Sequence, residues 1–111
     1  MTKEEICQCC QIPMEVLSAY EHWNLDGREE EAEGRQYSDK DIQKLSMMMT
    51  LSETGLTENR IECYMRLAEK EGTESRRMEL LNKQREQILT QIHVLERQIE
   101  KLDYLRYQIR S

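Results

Sequence analysis

Apolar residues follow two rhythms along this chain: short helical patches as far as Gly72, then one unbroken ladder. In the ladder, Met78, Leu81, Arg85, Ile88, Ile92, Leu95, Ile99, Leu102, Arg106 and Ile109 alternate steps of three and four without a slip. That is a heptad seam, and it predicts a single amphipathic helix from Glu74 to Arg110. Such a helix runs roughly 55 Å at 1.5 Å per residue, so much of its seam lies beyond the reach of a small folded head. A second copy of the chain is the simplest cover, which makes Leu81, Arg85, Ile88, Ile92, Leu95, Ile99 and Leu102 the expected dimerisation residues. Leu80, Leu89, Val94 and Leu105 widen the apolar surface beyond a two-position stripe, pointing to packing on the head or on more than one helix. Arg85 and Arg106 interrupt the seam with charge. Such residues lower stability but set register or orientation when a facing helix offers a carboxylate, here Glu86, Glu96 or Asp103. An antiparallel pair centred near Ile92 to Leu95 places Arg85 close to the Leu102 region of the other chain, and this orientation is the expected one.

Before the ladder the pattern predicts four shorter helices. Thr2-Lys3-Glu4-Glu5 has the form of a capping box, with Ile6 and Cys7 starting an apolar side that ends near Cys10. Pro13 suits the first turn of a second helix, on which Val16, Leu17 and Tyr20 recur at helical spacing until Trp23-Asn24. Asp26 to Gln36 has two glycines, an acidic run at Glu29 to Glu31 and no apolar period, and reads as a hairpin loop or two-stranded ribbon. Ser38 and Asp41 open a third helix whose buried side is Ile42, Leu45, Met48, Met49 and Leu51, with Gly55 as its stop. Thr57 caps a fourth, carrying Ile61, Tyr64, Met65 and Leu67, which Gly72 ends. The division is therefore a head, residues 1–73, and a terminal helix, residues 74–111.

Composition agrees with a mainly α chain. Charged residues make up 34% and aromatics 5%, with no Phe and one Pro among 111 residues, a content rich in helix formers and poor in strand formers. A domain of this length buries enough surface to fold without disulfide or metal staples. No apolar run reaches the length of a membrane span, and Lys3, Glu4 and Glu5 interrupt any leader-like start. A cytoplasmic protein with no membrane partner is the expectation, with Cys7, Cys9, Cys10 and Cys63 reduced.

Candidate chemistry is sparse. Cys7 and Cys10 are neighbours at i, i+3 and, with Cys63, form a conceivable soft-metal or redox cluster, although free cysteines more often pack as small hydrophobes. His22 and His93 stand alone. The Met47-Met48-Met49 run fits a core better than a ligand pocket. Neither a nucleophile with a base nor a glycine-rich phosphate loop is present, so no enzyme activity, metal or cofactor is expected.

The order of two short helices, wing, two helices and a long terminal helix resembles the MerR family of bacterial transcription regulators. The resemblance rests on Ile6, Ile12 and Leu17-Ser18-Ala19-Tyr20-Glu21, on Leu25, on Arg35-Gln36-Tyr37-Ser38-Asp39-Lys40-Asp41-Ile42, similar to that family's R-x-Y-S-x-x-D-I wing exit, and on Gly55-Leu56-Thr57-Glu58-Asn59-Arg60-Ile61. It implies a winged helix-turn-helix head followed by a long dimerisation helix, an antiparallel coiled coil, and a homodimer that binds double-stranded DNA at a two-fold operator. Ser18, Tyr20, Arg28, Arg35 and Tyr37 are the DNA-binding positions it implies. Metal-sensing relatives place cysteines near the start of the long helix, where this chain has Glu74 and Ser75, or just past its end, and drug-sensing ones append a ligand domain. Neither effector site is expected in this sequence.

Charge runs against that implication. Residues 1–73 hold eight Lys and Arg against sixteen Asp and Glu, a balance of −8, whereas 74–111 hold eight against six, +2. Phosphate neutralisation by Lys and Arg dominates DNA affinity, yet Pro13 to Trp23 has neither. Two readings remain open from sequence. One is a regulator that binds its operator through few contacts, backbone amides and DNA shape. The other is a protein-interaction module that has lost DNA binding, its acidic heads facing a basic protein surface or RNA polymerase.

Overall fold

A computed structural model of the protein describes residues 2–23 and 36–110. They form five helices, α1 Lys3–Cys9, α2 Met14–Trp23, α3 Asp39–Glu53, α4 Glu58–Ala68 and α5 Glu74–Arg110, with no strand among the described residues. The stretch read as a wing, Asp26 to Gln36, lies outside the described residues except for Gln36. The chain divides into two compact units, Met1–Arg77 and Met78–Ser111.

In the first unit, local chemistry sets the helix ends. The Thr2 hydroxyl accepts the Glu5 N–H at 3.3 Å and starts α1. The Cys10 N–H closes it on the Ile6 carbonyl. Gln11 then takes a φ of +55°, a left-handed conformation that side chains other than Gly adopt at a cost; it makes the tight turn into α2, and nothing in the residue type announced it. Pro13 stands just ahead of α2 rather than inside its first turn. Its carbonyl accepts the N–H groups of Val16 and Leu17, and its missing donor has no helical partner to lose.

α3 packs against both α2 and α4. Ile6 and Ile12, Leu17 and Tyr20 of α2, Leu45, Met48 and Leu51 of α3, Leu56, and Ile61, Tyr64 and Met65 of α4 are the buried hydrophobic residues of these elements. Ile42, Met49 and Leu67, also expected inside, are only half-buried, and Met47 is exposed. At about 1.5–3 kcal/mol for each fully buried large apolar side chain, this core is the main source of the head's stability. Lys44 Nζ reaches Glu69 Oε1 at 2.7 Å and ties α3 to the end of α4.

The end of α4 differs from the sequence expectation. It stops at Ala68, four residues before Gly72. Glu69 and Lys70 N–H groups turn back onto the Arg66 and Leu67 carbonyls, a tightening common at helix ends. Buried Thr73 completes the stop, its hydroxyl 2.6 Å from the Leu67 carbonyl and 3.1 Å from that of Lys70. The same residue starts α5, since its carbonyl accepts the Arg77 N–H at 3.0 Å and its hydroxyl oxygen accepts from Arg77 Nε at 3.2 Å. The Arg77 guanidinium lies 5.9 Å from the centroid of the Tyr64 ring, within cation–π range. Gly72 is not the end of the helix but the left-handed residue of this turn, at φ +74°.

The second unit is the remainder of α5, a helix of 37 residues with none buried. Ile92, Leu95, Ile99 and Leu102 are 42–59% exposed. No helix among the described residues is long and apolar enough to cross a membrane.

A Cβ added at Gly72 would meet nothing within 4 Å, so only the backbone opposes substitution there. Gly72→Ala should lower stability by about 1 kcal/mol, seen as a lower urea midpoint with unchanged helix content in buffer. Gly72→Asn should lose less, because Asn tolerates the left-handed region.

Candidate nucleic-acid interface

Two helices of seven and ten residues, joined by a turn through Gln11 and Ile12, make the element on which a helix-turn-helix protein reads a groove. α2 presents Leu17 and Tyr20 inward, both fully buried, and Met14, Glu15, Ser18 and His22 outward. The outward set recurs at steps of about four and so shares one face. It carries one negative charge and no Lys or Arg.

Four side chains brace this face from behind. The Tyr20 hydroxyl donates to Asp41 Oδ1 at 2.5 Å. In the opposite direction the Tyr37 hydroxyl donates to Glu21 Oε1. Neighbours on α2 thus exchange hydrogen bonds with the segment that leads into α3, a tyrosine on each side meeting a carboxylate on the other. Asp41 Oδ2 meanwhile accepts the Ser38 N–H at 2.8 Å while Ser38 Oγ accepts the Asp41 N–H at 3.3 Å, which completes a capping box. Lys3 Nζ lies 3.3 Å from Glu21 Oε2 and brings α1 into the network. Arg66 of α4 donates to the Trp23 carbonyl at 3.1 Å, satisfying a carbonyl that the end of α2 leaves without an intrahelical donor, and pairs with Glu62 at 2.8 Å.

The structure places the expected site residues as follows. Ser18 is exposed on the outward face. Tyr20 is 0% and Tyr37 4% exposed, and both hydroxyls are engaged on carboxylates. Arg28 and Arg35 lie outside the described residues. Asp41, Lys3 and Arg66 were not singled out as site residues; only the capping role of Asp41 was legible, from its spacing to Ser38. Of the expected dimerisation residues, Leu81 is half-buried and Arg85, Ile88, Ile92, Leu95, Ile99 and Leu102 are exposed in the single chain.

The cysteines do not behave as core residues. Cys9 and Cys63 are exposed, Cys7 and Cys10 half-buried, and none is in a disulfide. Among the described residues no three His, Cys, Asp or Glu side chains are grouped so as to hold a metal ion.

A helical head with an α1–α2 reading element, followed by a long helix, is the architecture of a helix-turn-helix regulator. Residues 1–68 match the family described as MerR HTH family regulatory protein, and the chain belongs to that family. The match ends with α4 and so takes in every element of the bracing network. It supports DNA-binding transcription regulation as the general class of activity. No curated protein and no solved structure matches the chain.

Asp41 serves two partners at once, so its removal should cost more than that of either. Asp41→Ala should destabilise the head by about 2–4 kcal/mol, adding a lost cap to a buried hydroxyl deprived of its acceptor. Tyr20→Phe should cost about 1–2 kcal/mol. Urea denaturation of the three proteins side by side checks the order.

Proposed function

We propose that the protein acts as a homodimer, paired through antiparallel α5 helices, that binds a two-fold site on double-stranded DNA and regulates transcription from it. The family match over residues 1–68 carries this reading. Ser18 on the outward face of α2, with Arg28 and Arg35, makes the DNA contacts; Tyr20 and Tyr37 keep α2 in place behind them. Paired heads on a two-fold axis suit palindromic half-sites.

Pairing through α5 is supported by its exposed apolar seam, and the antiparallel sense by where the seam is charged. In a parallel pair each layer faces its own copy, so Arg85 would meet the partner's Arg85 and Arg106 the partner's Arg106. An antiparallel pair centred between His93 and Val94 sets Ile92 against the partner's Leu95, Ile88 against the partner's Ile99 and Arg85 against the partner's Leu102. Both like-charge layers disappear. Asp103, 3.3 Å from Arg106 of its own chain, then stands next to the layer that receives the opposite Arg85.

A second reading is favoured by one observation, the absence of any cation on the outward face of α2. In it the heads keep the fold but face a basic protein surface, such as one on RNA polymerase.

Titration of the dimer onto labelled duplexes, its own upstream DNA and a random pool, across a salt series separates the two readings. With Arg28 and Arg35 as the phosphate contacts of each head, the log–log salt slope should be shallow, about −4 for four contacts per dimer. Arg35→Ala should weaken binding and bring the slope about two units closer to zero. A folded dimer that binds no duplex even at low salt would exclude operator recognition and leave the second reading.

Orientation is checked by disulfide trapping in a protein whose four native cysteines are replaced by Ser. Leu102→Cys alone should not cross-link, since antiparallel pairing sets its two copies about 25 Å apart along the axis at 1.5 Å per residue. Ile88→Cys combined with Ile99→Cys should cross-link readily.

A further inference from the structure

The seam does not exhaust the uncharged surface of α5. One residue ahead of it runs a second three-four ladder, Leu80, Gln84, Gln87, Gln91, Val94 and Gln98, in which no residue is charged. Lys101 takes the next step and Leu105 resumes the neutral row. Val94 and Leu105 are 48% and 53% exposed. The opposite flank of the seam has the contrary character. Five of the six acidic residues of α5, namely Glu79, Glu86, Glu96, Glu100 and Asp103, lie there, with only Glu74 elsewhere. At 100° per residue the neutral ladder lies on one side of the seam and these acids on the other.

Antiparallel pairing, on which this inference rests, converts that partition into two faces of the dimer. Antiparallel helices meet flank to like flank, so both neutral ladders fall on one side of the pair and both acidic flanks on the other. We infer that the neutral face is a docking surface for the same face of a second dimer, and that the protein associates into a tetramer through it. Three features select a second copy as the occupant. The face carries almost no charge with which to choose a partner of unlike sequence. Its glutamine amides both donate and accept, so a row of them complements its own copy. Its two-fold symmetry matches an isologous contact, in which one patch meets itself. The acidic face repels further copies, and association therefore closes at four chains instead of running on into a filament.

Area sets the strength. With Lys101 and Leu105 of each chain included, the strip is two helices, about 20 Å, wide over about 30 Å, which gives about 600 Å² on each dimer and about 1,200 Å² in all, the lower edge of specific interfaces. The tetramer is therefore weak and dependent on concentration. It brings four heads into one particle, enough to hold two separate two-fold DNA sites.

Sedimentation velocity of the full chain from micromolar to submillimolar concentration tests this. The expected result is a shift from the mass of two chains to that of four. The double substitution Gln87→Glu, Val94→Glu places two carboxylates on the outer row of the neutral ladder, away from the partner helix of the dimer; it should hold the protein at two chains throughout, with helix content unchanged. A wild-type protein that stays at two chains over the whole range, or a doubly substituted one that still reaches four, overturns the tetramer and leaves the dimer standing. A protein that sediments as a single chain overturns the dimer itself.

Discussion

The Asp41 carboxylate joins α2 to α3 and holds the head together there. One oxygen takes the buried Tyr20 hydroxyl and the other closes the capping box with Ser38, so a single side chain begins α3 and secures α2 to it. A carboxylate buried to 4% exposure is unfavourable unless its lone pairs are satisfied; here a backbone N–H and two hydroxyls do so. The arrangement is polar and directional where most of the core is neither. Apolar contacts alone would let α2 slide or rotate on α3, whereas a bond from Tyr20 to Asp41 and another from Tyr37 to Glu21 fix both its rotation and its height. In the proposed function that rigidity matters more than extra stability, because the position of the outward face of α2 would set the register on a partner.

The same network shapes the electrostatics of the head. Glu21 and Asp41 are anionic residues turned to structural use, and Lys3, one of few cations near the reading element, stands 3.3 Å from Glu21 instead of being held out toward a phosphate. What remains on the outward face is Met14, Glu15, Ser18 and His22. This face offers little attraction to DNA, which is why the proposed DNA reading draws on Arg28, Arg35, backbone donors and the doubling that a dimer would supply. Two weak heads on one scaffold gain affinity from their linkage as long as the spacing of the half-sites fits.

Sequence was informative where a period or a local bond does the work. The ends of α1 and α3 followed from Thr2 and from Ser38 with Asp41, because capping joins residues three apart. The extent of α5 followed from a seam that never slips. Three features were not legible. Gln11 is left-handed although no Gly or Asn marks the place; the turn there accompanies the burial of both Ile6 and Ile12. α4 stops early because Thr73, a residue with no special turn propensity, caps its carbonyls from outside the helix. Tyr20 and Tyr37 point inward, and tyrosine, apolar in its ring and polar at its tip, suits a braced core and a phosphate contact equally well. Residue type does not announce their burial; the position of the two carboxylates sets it.

α5 imposes the remaining constraint. A helix this long is stable only when its apolar face is covered, since propensity alone leaves a water-exposed helix marginal, and Ile88, Ile92, Leu95, Ile99 and Leu102 stand uncovered in the single chain. Arg85 and Arg106 lower the gain from covering them but penalise the parallel arrangement more, because only there do like charges share a layer. In the proposed dimer the heptad would thus set orientation by exclusion as well as attraction. Charge is divided by flank as well as by layer, acids on one side of the seam and amides on the other. A helix selected only to form a soluble dimer would gain from charge on both flanks, which improves solubility and adds pairing across the seam. Withholding charge from one flank over most of its length forgoes both benefits, and contact through that flank is the compensation that makes the pattern intelligible.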